Sequence, residues 1–248
     1  MVFLSLSVSA VAVLLTFAAA AVQDWKTRAV YRATWYPAAG ICLVCGVFFW
    51  PGILSGSWGF AAFVCAVFLS LLVAVFSYLG LFGKADAKAL ILLSLAVPVT
   101  PFAAWIFPSL AVSVIVNAGV FSLIVPVACL LYNLGKKNYA PFWLMCSGRP
   151  VSGAEVCRHF GFIAENQGGD RRFVTFLESL TVLKTCPEKN IRNLRENPQD
   201  YLAVIRFCES RESVWVTVGI PLLVPLTAGL VFALFGVSAV DIVLAGIL

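Results

Sequence analysis

The chain holds 248 residues, of which 61% are apolar and only 12% are charged, about half the charged share of an average soluble domain. With a mean hydropathy of +0.97, that balance excludes a disordered chain and a nucleic-acid binder and marks an integral membrane protein. The net charge of +5 says less than the places where the charges fall.

A helix that crosses a bilayer needs about 20 apolar residues. The first such run covers residues 2–22. The second extends from Trp35 to about Leu54, the third from about Trp58 to Leu81, and the fourth from about Ala87 to Phe107. The fifth extends from about Leu110 to Leu134. A polar region over 135–213 follows, with loop signals such as ENPQD, and it carries 12 of the 17 Lys/Arg and 9 of the 12 Asp/Glu. The last apolar run starts near Val214 and continues to the C-terminus, as one long tilted helix or as a helix with a short tail. These runs predict an all-α polytopic membrane protein of about six transmembrane helices. Residues 1–134 form helices one to five, 135–213 a small insertion, and 214–248 the final span.

The remaining charges orient the chain. Lys26, Arg28 and Arg32 follow the first run, Lys84 and Lys88 separate the third from the fourth, and Lys136 and Lys137 follow the fifth. The other connections, PGILSGSWGF and IFPSL, are uncharged. All basic loops therefore share one face, which the positive-inside rule makes cytosolic. The insertion lies on that face and both termini lie outside. The first run closes on AAAAVQ at residues 18–23, like a cleavage site, but no Lys or Arg precedes the run, so an uncleaved span is expected.

Four cysteines (Cys42, Cys45, Cys65, Cys129) sit in apolar runs, and Cys42 and Cys45 form a lone CxxC inside a helix. The others, Cys146, Cys157, Cys186 and Cys208, are scattered through the polar region. No paired CxxC pattern exists for zinc, so no metal or other cofactor is expected. There is no HExxH and no GxSxG, and the sole histidine, His159, stands in the insertion as an ordinary packing or surface residue.

Ahead of the insertion only two acids occur, Asp24 and Asp86. Each borders an apolar run on the face of the basic loops. An acid near lipid is costly and is a functional hypothesis by default. Each alone could balance charge or cap a helix, as Asp86 would at the start of AKALILLSL. Together, two carboxylates that approach closely share a proton. One can then take a proton from water while the other polarises a carbonyl. The same pair could relay protons in a small proton-coupled transporter. Such a path needs deeper polar groups, and the first four runs offer only Ser and Thr.

The stretch Gly83-Lys84-Ala85-Asp86, opening an apolar run, resembles the GxGD motif of intramembrane aspartic proteases. Asp86-Ala87-Lys88 is similar to the Asp-x-Lys of prepilin and preflagellin peptidases. Gln23-Asp24-Trp25-Lys26-Thr27-Arg28 resembles their first motif, an Asp with a basic residue after span one. The final segment, from Glu212-Ser213-Val214-Trp215 to Gly219-Ile220-Pro221-Leu222-Leu223-Val224-Pro225, looks like the last span of archaeal preflagellin peptidases. The tetracysteine motif of bacterial relatives is missing, which favours the archaeal branch.

The resemblance implies a cell-membrane aspartic endopeptidase that cuts leader peptides from archaellin or pilin-like precursors at the cytosolic face. Asp24 and Asp86 would be its catalytic pair, with Arg28, Gly83, Lys84, Ala85 and Lys88 as supporting residues. Pro221 and Pro225 interrupt the ladder of the last run and mark either a kink or a wall of the active site. One departure stands out: Ala85 occupies the position where the motif usually has Gly, which leaves a catalytically silent homologue open. The only partners expected are those precursors and the lipid bilayer; the oligomeric state is not fixed by these residues.

Overall fold

The computed structural model of the chain describes residues 1–79, 83–99, 109–166, 173–219 and 221–247. The outer half of the fourth predicted span, over 100–108, and residues 167–172 of the predicted insertion lie outside the described residues. Two compact units emerge, one made of Met1–Ser122 with Pro221–Leu248 and the other of Leu123–Ile220.

The first unit opens with α1 (Val2–Thr27), α2 (Tyr36–Leu54), α3 (Ser57–Tyr78), α4 (Lys84–Ala96) and α5 (Leu110–Ser122). Short connections make α1, α2, α3 and α4 successively antiparallel. Buried Leu6, Ala10, Val13, Phe17 and Ala20 recur at helical spacing along α1, and Leu90, Leu93 and Val97 do so on α4. Many of the other large apolar side chains are exposed, among them Leu15, Leu43, Val47 and Phe68. That inverted surface is what lipid requires.

The second unit contains α6 (Ile124–Gly135), α7 (Phe142–Ser147), β1 (Gly148–Ser152), α8 (Phe176–Thr185), α9 (Ile191–Glu196), α10 (Leu202–Glu209) and β2 (Ser213–Thr217). The strands pair antiparallel, with Gly148 opposite Thr217 and Ser152 opposite Ser213. The run expected to enter the last span at Val214 therefore opens as a strand. Its residues Ser213-Val214-Trp215-Val216-Thr217 are β-branched and aromatic, and Val214 and Val216 join Ile163, Ile191 and Leu194 in a core of their own. Buried Asn133 of α6 donates to the carbonyls of Met145 at 2.9 Å and Gly148 at 2.8 Å, pinning the α7–β1 junction.

The chain then returns to the first unit as α11 (Leu223–Leu234) and α12 (Ala239–Ile247). Gly229 of α11 lies against α5 so closely that a Cβ would stand 2.7 Å from the Val114 carbonyl oxygen. Asn117 of α5 donates to the Val237 carbonyl at 2.8 Å and accepts from the Ala239 N–H at 2.9 Å, tying α5 to the α11–α12 corner. Small residues and buried amides of this kind hold helices together where lipid removes the hydrophobic drive for their association.

Four stretches are long and apolar enough to cross a membrane: Val2–Thr27, Arg32–Leu54, Gly59–Tyr78 and Leu110–Gly135, and α11 is a shorter apolar helix. The last of the four is interrupted at Leu123, just ahead of Pro126, whose ring cannot sit in a continuous ladder. The protein is thus a predominantly helical, multi-pass membrane protein.

Candidate active site

Asp24 sits in the last turn of α1, which continues beyond the apolar run to Thr27. It extends the buried stripe Leu6, Ala10, Val13, Phe17, Ala20 and is half-buried. Arg28 ends the helix in the left-handed conformation, φ 55°, and its backbone N–H returns to the Asp24 carbonyl at 3.0 Å. That cap keeps the Arg28 guanidinium within the field of the Asp24 carboxylate. The carboxylate also accepts a hydrogen bond from the backbone N–H of Leu223, the first residue of α11. That N–H has no partner inside its own helix, and the positive end of the helix dipole favours an anion there.

Asp86 lies in the first turn of α4, N-capped by Gly83. It continues the core-facing stripe of Leu90, Leu93 and Val97, is half-buried, and lies within the field of Asp24. The two acids, distant in sequence, therefore lie at one end, where α1 finishes and α4 begins. The Asp86 carboxylate folds back over Gly83, where a Cβ would stand 2.6 Å from Oδ2. Only a residue without a side chain leaves the carboxylate in that place.

Ala85 is helical within α4 and packs against the core, so its methyl carries no backbone penalty. Lys84 and Lys88 are exposed. On a helix that turns about 100° per residue, Lys88 stands roughly 200° round α4 from Asp86, on the far face.

Two features escaped the sequence reading. Gln23, next to Asp24, accepts with its side-chain oxygen from the Tyr31 N–H and from the Thr34 hydroxyl, each at 3.0 Å. One amide thereby clamps the loop between α1 and α2. The contact of Leu223 with Asp24 is likewise invisible in sequence. Pro221 and Pro225 differ from expectation: Pro221 precedes α11 and Pro225 lies in its first turn. Neither interrupts the ladder, because first-turn N–H groups have no intrahelical acceptor. Instead they set where the helix starts, and hence which N–H reaches Asp24.

Among the described residues no group of three or more His, Cys, Asp or Glu stands together as a metal site. Asp86 thus lies in the field of Asp24, and Asp24 is served by a helix N-terminus.

Two family models match this chain. The type IV leader peptidase family matches residues 11–131, and the archaeal peptidase A24 C-terminus type II matches residues 140–236. No curated protein matches it significantly. Both models describe parts of one peptidase family, they follow one another in the chain, and the first spans α1, α4 and both acids. The chain belongs to the type IV leader peptidase family, as an archaeal-type aspartic peptidase of the prepilin class.

Proposed function

We propose that the protein removes leader peptides from archaellin or other pilin-like precursors at the cytosolic face of the cell membrane, with Asp24 and Asp86 as its catalytic pair. The observation that carries this reading is that the only two acids ahead of the insertion lie where α1 ends and α4 begins, each on the buried stripe of its helix, with Asp86 in the field of Asp24. The basic residues Lys26, Arg28, Arg32, Lys84 and Lys88 border the same end of α1 and α4, which supports its cytosolic placement.

The chemistry follows from a shared proton. The ionised carboxylate takes a proton from water, and the water oxygen bonds to the carbonyl carbon of the scissile amide. The protonated carboxyl gives its proton to the carbonyl oxygen. In the collapse of the tetrahedral adduct that proton returns to its carboxyl. The C–N bond breaks and the leaving nitrogen takes the proton first drawn from water. Either carboxylate can act as the base at the outset with the other as the acid, and the two exchange roles through the cycle. A pilin-like precursor has a short basic leader followed by an apolar helix, so its cleavage point lies at the membrane surface, level with this pair.

The test is cleavage of a purified precursor by the reconstituted protein. Asp24→Asn and Asp86→Asn are each expected to lower the rate by about 100-fold or more, the scale of a lost general acid or base. Normal cleavage by both variants would reject the pair.

A further inference from the structure

A second feature of the first unit is a long apolar groove, about 860 Å3 in volume, between α2 and α4. Tyr36, Leu43 and Val47 form one wall, and Lys88, Leu92 and Leu95 form the other. The volume falls within the range of roughly 300–1,000 Å3 usual for small-molecule sites. Short connections make α2 and α4 parallel, so Tyr36 and Lys88, each in an early turn of its helix, share one end. The rest of the lining is almost wholly aliphatic and aromatic, and among the described residues no acid borders it and Lys88 is its one cation.

We propose that this groove binds one membrane lipid with an anionic headgroup, its phosphate paired with Lys88 and its chains laid along α2 and α4. Charge selects the headgroup. A single ammonium at the polar end of an apolar trough matches a phosphate that carries net negative charge, and a tyrosine beside it is the usual marker of headgroup level. Depth selects the chains. From Tyr36 to Pro51 the α2 wall rises about 22 Å, enough to take acyl or isoprenoid chains through one leaflet.

Helix geometry also separates this site from the acids. The α4 wall lies about 200° round the helix from Asp86, so a ligand in the groove does not reach the carboxylate pair. A precursor helix seated there would carry its scissile bond away from both acids, and a basic leader would meet Lys88 with like charge.

The test is native mass spectrometry of the full-length protein released from detergent with added phosphatidylglycerol or phosphatidylcholine. One phosphatidylglycerol per chain is expected to be retained, at least tenfold over phosphatidylcholine. Lys88→Gln is expected to abolish that preference. Ala39→Trp, which fills the groove from an exposed position, is expected to displace the lipid whatever its headgroup. Equal retention of both lipids, unchanged in both variants, would show ordinary surrounding lipid only and overturn the proposal. Displacement of the lipid by a synthetic precursor helix would also overturn it and assign the groove to the substrate.

Discussion

The backbone N–H of Leu223 donates to the carboxylate of Asp24, so the acid that ends α1 also caps the start of α11. Under the proposed function that one side chain has a structural and a chemical duty, and substitution can part them. Asn keeps a carbonyl oxygen for the Leu223 N–H, whereas Ala leaves that buried donor bare. Asp24→Asn and Asp24→Ala are both expected to lose cleavage, but only Asp24→Ala is expected to lose stability, by about 1 kcal/mol. Thermal unfolding in detergent beside a cleavage assay separates the two effects. Equal melting temperatures for Asn and Ala would show that the capping bond contributes nothing.

Gly83 places the second acid by having no side chain. A methyl there would stand 2.6 Å from Asp86 Oδ2, so the carboxylate must turn away. Gly83 is exposed and has ordinary extended torsions, φ −62° and ψ 141°, so alanine strains neither backbone nor core. Gly83→Ala is expected to reduce kcat by roughly 100-fold, the scale of a displacement near 1 Å at a reacting group, with little change in melting temperature. A variant that cleaves at the wild-type rate would show that Asp86 works from another rotamer.

Gln23 is a positioning residue rather than a catalytic one. Its oxygen holds Tyr31 and Thr34 of the loop that follows Arg28. Gln23→Met keeps the length and removes the acceptor, and Thr34→Val removes one of the two donors. The expected order of cleavage rates is wild type, then Thr34→Val, then Gln23→Met at about one tenth, since each lost hydrogen bond is worth about 1 kcal/mol. A merely structural role would lower the melting temperature and leave kcat per folded molecule unchanged.

The helical part of this architecture was legible in the chain because long apolar runs are a local signal. The buried face of α1 was not, because Leu6, Ala10, Val13 and Phe17 stand among neighbours as apolar as themselves. The acids themselves were legible by scarcity. What the residues did not reveal is non-local. Strands β1 and β2 pair across a long stretch of chain, so Val214 and Trp215 read as the start of a membrane run until their partners Val151 and Pro150 are known. The Leu223–Asp24 contact joins opposite ends of the sequence and passes through a backbone N–H, which any residue but proline would supply. Pro221 and Pro225 drew notice as breakers, yet their effect depends on where the helix begins, a boundary fixed by packing against α1.

Asn117 is a buried polar group of the helix bundle, and its bonds are internal. It donates to the Val237 carbonyl at 2.8 Å and accepts from the Ala239 N–H at 2.9 Å, while Gly229 lets α11 close on α5. Asn117→Leu is expected to lower stability by about 1–2 kcal/mol and to leave kcat per folded molecule unchanged. Gly229→Leu is expected to be worse, because its side chain meets backbone and not a movable tip. Unfolding in a denaturing detergent series measures both. Loss of cleavage without loss of stability in Asn117→Leu would instead implicate this amide in the chemistry.

The insertion has its own pH dependence through His159. Burial lowers the His159 pKa below its ordinary 6.5, Arg149 pushes it the same way, and Glu155 opposes them weakly. A histidine with a lowered folded pKa binds its proton better in the unfolded chain. Its contribution to stability is therefore intact above about pH 6.5 and is lost as the pH falls from there through the lowered folded pKa. His159→Gln removes this dependence. Amide exchange of peptides from 148–165 in the full-length protein is expected to be similar for wild type and His159→Gln at pH 7.5. At pH 5.5 the wild type is expected to exchange faster than the variant. Comparing the two proteins at one pH cancels the intrinsic acid and base dependence of exchange. A constant ratio between them at both pH values would show that protonation of this imidazole does not load the fold.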